Sequence, residues 1–213
     1  MNADKTSIAV EVFDRLAEHY QQRFMDVSLY DDSFHAFCNA LPKTDAEVLE
    51  VACGPGNITK ALLAIRPDLK VFGTDLAPAM LDLARINNPT AVFGLLDCRD
   101  IAALDKQFDA ILCGFAFPYL SKEEAIRFIH DAANRLLPDG ILYISTMEDD
   151  NAKSGWQTGS TGDRIFMNFH EAGYLIEALD SDGFELIYED RKCYPGANDT
   201  TVTDLLVIAR KKA

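Results

Sequence analysis

Gly54 and Gly56 follow directly on the apolar run "VLEVA", with Pro55 between them and an acid, Glu50, inside the run. Glycine has no Cβ, so a turn built on it bends sharply and admits a ligand against bare backbone, while proline narrows the turn further. A phosphate is one ligand that such a strand–turn–helix holds. The dinucleotide fingerprint G-x-G-x-x-G, however, needs a third glycine where this chain has Thr59. An acid at the end of the strand repels a pyrophosphate and suits a ligand that bears an amino group or a positive charge. Asp75 closes the next apolar run, "VFGTD", 19 residues beyond Gly56. That is the interval at which a carboxylate in such folds meets ribose hydroxyls, and capping the helix that starts near Pro78 is its plainer role. Asp97 closes a third run, "AVFGLLD".

The elements that must position these residues show in the hydrophobic pattern. Ile8, Val12, Leu16 and Tyr20 recur at helical spacing in "SIAVEVFDRLAEHYQQRF", and "SLYDDSFHAFCNAL" predicts a second helix that Pro42 ends. From Ala46 short continuous apolar runs alternate with helical stretches, the pattern of a doubly wound α/β fold whose parallel sheet is buried on both faces. After Met147 the pattern predicts a polar loop over "EDDNAKSGWQTGSTGDR", a helix over "MNFHEAGYLIEALDSDG" and two strands, "FELIYEDRKC" and "TTVTDLLVIARK". The short "YPGANDT" connection makes that last pair antiparallel. One domain is expected over 1–213, with a helical cap at 1–42, a ligand-binding core at 44–146 and a substrate-side loop, helix and strand hairpin at 147–213.

"LEVACGPGNIT" resembles the first motif of the class I S-adenosylmethionine-dependent methyltransferases, with Ala52 where that family has its first glycine. "VFGTDLAPAML", "AVFGLLDCRDI", "FDAILCGFAFPYL" and "LLPDGILYIST" resemble the segments that follow, with Asp139 where a second glycine is common, so the likeness spans roughly 44 to 210. It implies a Rossmann-like, mostly parallel seven-stranded sheet ending in an antiparallel pair, and S-adenosyl-L-methionine as cofactor. It places Glu50, Gly114 and Phe115 beside the methionine part and lines the cofactor with the backbone of Ala52, Cys53, Gly54 and Gly56. It sets Asp75 on the ribose, Leu76 and Met80 against the adenine, and Asp97 and the Cys98 backbone at the adenine edge. Tyr20 has two readings, a core contact or, as the resemblance implies, a partner of the methionine carboxylate. The implied activity is methyl transfer to a small molecule. A non-catalytic cofactor-binding protein and a nicotinamide-dependent oxidoreductase are the alternatives.

Charge and composition set the outer bounds. With 34 acidic against 20 basic residues, the formal charge of −14 disfavours nucleic acid and anionic membrane as partners. No run of 18 apolar residues and no leader-like start is present in the sequence, which predicts a cytoplasmic protein. Neither the five cysteines nor the four histidines show metal-ligand spacing, so no metal is expected. No catalytic residue is assigned. Tyr119, Glu148, Asp149, His170 and His19 are candidate bases, and the "GFAFPY" segment lacks the signature of nucleobase amino-group methylation. Glu148, Asp149 and Asp150 either favour a cationic acceptor or form a solvated loop, and Trp156 and Phe166 either line an acceptor pocket or close the core.

Overall fold

The computed structural model describes residues 5–41, 43–196 and 201–212. Two cap helices, α1 (Lys5–Arg15) and α2 (Ala17–Phe24), precede α3 (Asp31–Ala40). Strand β1 (Glu47–Val51), α4 (Asn57–Ile65), β2 (Lys70–Asp75), α5 (Pro78–Asn87) and β3 (Val92–Leu95) form the first half. The second half runs through β4 (Phe108–Gly114), α6 (Lys122–Arg135) and β5 (Leu136–Met147). A hairpin of β6 (Gly155–Thr158) and β7 (Arg164–Met167), α7 (Ala172–Ser181), β8 (Phe184–Pro195) and β9 (Thr201–Lys211) complete the chain.

The main sheet has seven strands in the order β3-β2-β1-β4-β5-β9-β8. Strands β1 to β5 run parallel, β9 pairs antiparallel with β5, and β8 pairs antiparallel with β9. The doubly wound architecture and the closing antiparallel pair read from the sequence are therefore both present. Chain order reverses between β1 and β4, which opens a crevice at the carboxyl ends of these strands. Alternate residues of the central strands pack into two cores. Leu49, Val51, Ile111 and Cys113 face α6 and α7, whereas Val48, Ala110 and Leu112 join Phe34 and Phe37 of α3 and Leu62 of α4. Gly114 is bare because a Cβ there would stand 2.3 Å from Ile58 Cδ1 of α4.

The expectations for the cap and for the stretch after β5 are corrected. The cap is two helices, broken at Leu16 (φ −105°, ψ 17°), and Ala17 just beyond the break packs on Ala77 and Met80. The stretch read as loop and early helix forms the β6–β7 hairpin, and helix α7 begins only at Ala172. Pro42 itself lies outside the described residues, but Leu41 before it is already extended (ψ 117°), as the residue preceding proline tends to be.

Helix α6 carries a capping box: the Ser121 hydroxyl accepts from Glu124 N (3.2 Å) and Glu124 Oε2 accepts from Ser121 N (2.8 Å). The other Glu124 oxygen meets Arg99 Nη1 (3.3 Å), whose Nη2 in turn meets Asp97 (2.6 Å), so the cap also steadies the turn after β3. Ser121→Ala is expected to lower unfolding free energy by about 1 kcal/mol in urea denaturation, and an unchanged midpoint would deny the cap that role.

Candidate functional site

The crevice between β1 and β4 holds a cavity assembled from the ends of four parallel strands and roofed by the cap. Ala52 and Gly54 line it from β1, Asp75, Leu76 and Met80 from β2 and α5, Asp97 and Cys98 from β3, and Gly114 and Phe115 from β4. Thr6, Ala9, Val10 and Phe13 of α1 and Tyr20 of α2 close it from above.

Backbone conformation shows how tightly the two central strands turn here. Ala52 (φ +51°) and Phe115 (φ +55°) are left-handed, as are Gly54 (φ +53°) and Gly56 (φ +75°). A residue with a Cβ in that region is strained by about 1–2 kcal/mol, and such strain gathers at sites where a ligand is held. Phe115 is pinned by its N–H, which donates to Ser145 O at 3.0 Å and to Ser145 Oγ at 3.2 Å. Asp139 (φ +62°) likewise holds a left-handed conformation, one that glycine adopts at least cost.

Asp75 is the polar centre. One carboxylate oxygen accepts Gly54 N (2.8 Å) and the other Ala77 N (2.9 Å), so it both turns the chain into α5 and fixes the glycine turn. Burial pushes its pKa up, against the pull of those backbone N–H groups. It also helps burial raise the Tyr20 phenol to about 12. Burial pushes Asp97 up as well, yet the Arg99 guanidinium and backbone N–H more than offset it and hold Asp97 below the usual carboxylate range.

Three of the residues named from sequence stand behind the turn rather than in the cavity lining. The Glu50 carboxylate is 1% exposed and accepts the Thr59 hydroxyl of α4. Cys53 faces Leu81, Ala84 and Phe93, and its N–H donates to Thr74 O at 2.9 Å. Gly56 lies against α5, where a Cβ would stand 2.4 Å from Asn88 Nδ2, and Asn88 donates to Gly56 O at 2.9 Å. Their neutral polar and apolar neighbours thus brace the turn from the rear. Burial keeps the thiols of Cys53, Cys98 and Cys113 protonated, with Cys98 pushed up to about 12.

A second cavity abuts the first and shares Phe13, Tyr20, Phe115 and Tyr119 with it. Val12, Leu16 and Phe24 of the cap and Ile165 and Met167 of the β6–β7 hairpin supply apolar walls. Polar groups share the lining: Tyr30, Tyr194 and Asp204, His19, Arg23, Asp26 and Asn57, and Ser160, Thr161 and Asp163 of the hairpin turn. Of the candidate bases, Tyr119 and His19 line this space. His170 is instead buried between Phe117 O (2.7 Å) and the Tyr174 hydroxyl, and burial lowers its pKa. Glu148 is held by Arg191 (2.5 Å), Asp149 by Lys153 (2.7 Å), and Asp150 caps Ala152 N (2.8 Å). Trp156 and Phe166 pack edge to face on each other, 5.8 Å apart, while the alternate residues Ile165 and Met167 face the cavity. Tyr30 and Asp204 were not singled out from the sequence. The available signal was a lone acid, Asp204, interrupting the apolar run of β9.

Among the described residues no group of three or more His, Cys, Asp or Glu side chains converges as a metal site, and no helix is long and apolar enough to cross a membrane.

Residues 48–140 match the family described as Methyltransferase domain. An uncharacterized methyltransferase of Bacillus pumilus is 31% identical over 144 residues, covering 65% of this chain and 67% of that one. A malonyl-[acyl-carrier protein] O-methyltransferase of Acetivibrio thermocellus is 30% identical over 106 residues, 49% of this chain but 36% of its own length. A tRNA N(3)-methylcytidine methyltransferase of Schizosaccharomyces pombe is 24% identical over 200 residues, 84% of this chain and 81% of its own. In fold, the DhpI–SAH complex superposes with a TM-score of 0.73 at 19% identity, covering 100% of this chain and 99% of that one.

Two outcomes are expected from the turn. Burial raises Glu50 to about 7 from an ordinary 4.5, so between those values the unfolded chain sheds a proton that the folded one keeps. Stability should therefore fall as pH rises from about 4.5 to about 7, and Glu50→Gln should flatten that slope in denaturation followed across the range. Ala52→Gly should leave stability within about 1 kcal/mol, relief of strain offsetting chain entropy, whereas Ala52→Val should cost about 2 kcal/mol or more in the same assay.

Proposed function

The chain belongs to the class I S-adenosylmethionine-dependent methyltransferase family, and on that premise we propose that it transfers a methyl group to a small molecule seated in the second cavity. The observation that carries the reading is the pair of abutting cavities with shared aromatic walls, one lined by the ends of β1 to β4 and the other by the cap and hairpin. S-adenosyl-L-methionine is the cofactor of this family, and when bound it supplies a methyl group already activated by the positive charge on sulfur. The protein's task is then to hold, to orient and to exclude water.

The lining fits that cofactor. The Asp75 carboxylate has two backbone N–H partners and retains acceptor capacity for a ribose diol. Leu76 and the polarizable Met80 suit an adenine face, and Asp97 with the Cys98 backbone its edge. The bare backbone at Ala52, Gly54 and Gly114, with Phe115, suits the methionine part, which Tyr20 of the cap then covers. Glu50, Cys53 and Gly56 act on the ligand through the turn they brace. Where the acceptor is a hydroxyl or an ammonium a base is needed; Tyr119 and His19 both line the second cavity, and burial, which raises the Tyr119 phenol, leaves His19 the better candidate.

A relative named for tRNA keeps a nucleic-acid acceptor in view. Against a polynucleotide stand the formal charge of −14 and a second cavity walled by α1, α2 and the hairpin.

Calorimetric titration with S-adenosylmethionine, S-adenosylhomocysteine and NADH tests the cofactor. Micromolar binding of the adenosyl compounds, weakened at least tenfold by Asp75→Ala in a protein that still melts cooperatively, is expected, since hydrogen bonds to a charged group contribute about 1.5–3 kcal/mol each. Binding of NADH alone would sink the reading.

A further inference from the structure

We propose that the second cavity selects an acceptor bearing a cationic nitrogen, an amine protonated at neutral pH, with Asp204 as the group that recognises it. This rests on the reading of that cavity as the acceptor site.

Asp204 is 1% exposed, yet it lines the cavity. It projects from β9 opposite Met147 of β5, and two phenols hold it: Tyr30 Oη donates to Oδ2 at 2.6 Å and Tyr194 Oη to Oδ1 at 3.4 Å. An ionised carboxylate has about four lone-pair sites, so two donors leave it half satisfied. No lysine, arginine or histidine pairs with it among the described residues, unlike Glu148, Asp149 and Asp163 nearby, each of which has its cation. A buried carboxylate without a counter-ion is costly, and an arriving cation supplies what the fold withholds.

The walls beside it have the same preference. The Tyr30 ring lies 5.2 Å from that of Phe115, and the Tyr20 ring 4.7 Å from that of Phe24. Aromatic faces carry negative quadrupole density and attract ammonium groups most strongly where water is excluded. The opposing charge is Arg23 on α2, which is exposed, donates to Ser160 Oγ at 3.3 Å and leans on Phe24. Arg23 borders the cavity but is itself exposed to solvent, so its charge is screened while that of the buried Asp204 is not.

The test uses three probes of one shape and different charge: benzylamine, benzyl alcohol and benzoate, titrated calorimetrically into the whole protein saturated with S-adenosylhomocysteine. Benzylamine is expected to bind at least tenfold tighter than benzyl alcohol, with benzoate no better than the alcohol. Asp204→Asn should bring amine and alcohol within about threefold of one another without altering S-adenosylhomocysteine affinity. Tyr30→Phe, which keeps the carboxylate, should preserve the amine preference. The wild-type comparison stands alone if Asp204→Asn fails to fold. No detectable amine binding, equal affinities, or a preference for benzoate would overturn the proposal. Failure of S-adenosylhomocysteine itself to bind would strike the methyltransferase reading instead.

Discussion

The two hydrogen bonds that Asp75 accepts, from Gly54 N and Ala77 N, join the turns that leave β1 and β2 and set the spacing on which the site depends. Each turn alone is a loop that could settle in several shapes. Tied through one buried carboxylate they become a rigid corner, from which α4 and α5 depart in fixed directions. The strained backbone of Ala52 and Phe115 follows from the same constraint, because both central strands must bend away within one residue of their ends. A second ring of contacts supports the corner from behind: Glu50 on Thr59, Cys53 on Thr74 and Asn88 on Gly56. These groups never face the cavity, yet its shape is theirs.

That division explains what could be read from residues alone. Buried parallel strands need apolar side chains on both faces, so their runs, their order and the acids that end them stand out as pattern breaks, and Asp75 and Asp97 were found in this way. Direction is harder. Glu50, Cys53 and Gly56 lie within a few residues of the cavity, but which way a side chain turns in a left-handed bend depends on α4 and α5, which lie elsewhere in sequence. The β6–β7 hairpin was missed because its exposed polar residues carry little hydrophobic alternation. Only Ile165 and Met167 show the period of two, too short a signal to separate from a helix. Asp204 was overlooked for the opposite reason: a single acid in a strongly apolar strand is absorbed by the pattern, and its meaning appears only when Tyr30, 174 residues away, is brought against it.

Net charge proved a poor guide to where charge matters. Of the acids after Met147, Glu148 and Asp149 are locked to Arg191 and Lys153 and sit partly in solvent, where such pairs contribute little. Burial, not number, decides which carboxylates shape a binding site, and in Glu50, Asp75 and Asp204 its upward push on the pKa is not overcome by a cation as it is in Asp97.

The cap has a consequence for traffic. Phe13 and Tyr20 belong to both cavities, and helices α1 and α2 roof the two together. The roof is fastened to the body by polar contacts, Asp14 to Ala79 N (2.7 Å), Gln21 to Asn87 (2.6 Å) and Arg15 to Asp163 (2.5 Å), and by a small apolar cluster in which Ala17 and Phe13 meet Ala77 and Met80. Access to one compartment is therefore not independent of access to the other, because the same two helices wall both, and the break at Leu16 lies where those helices meet.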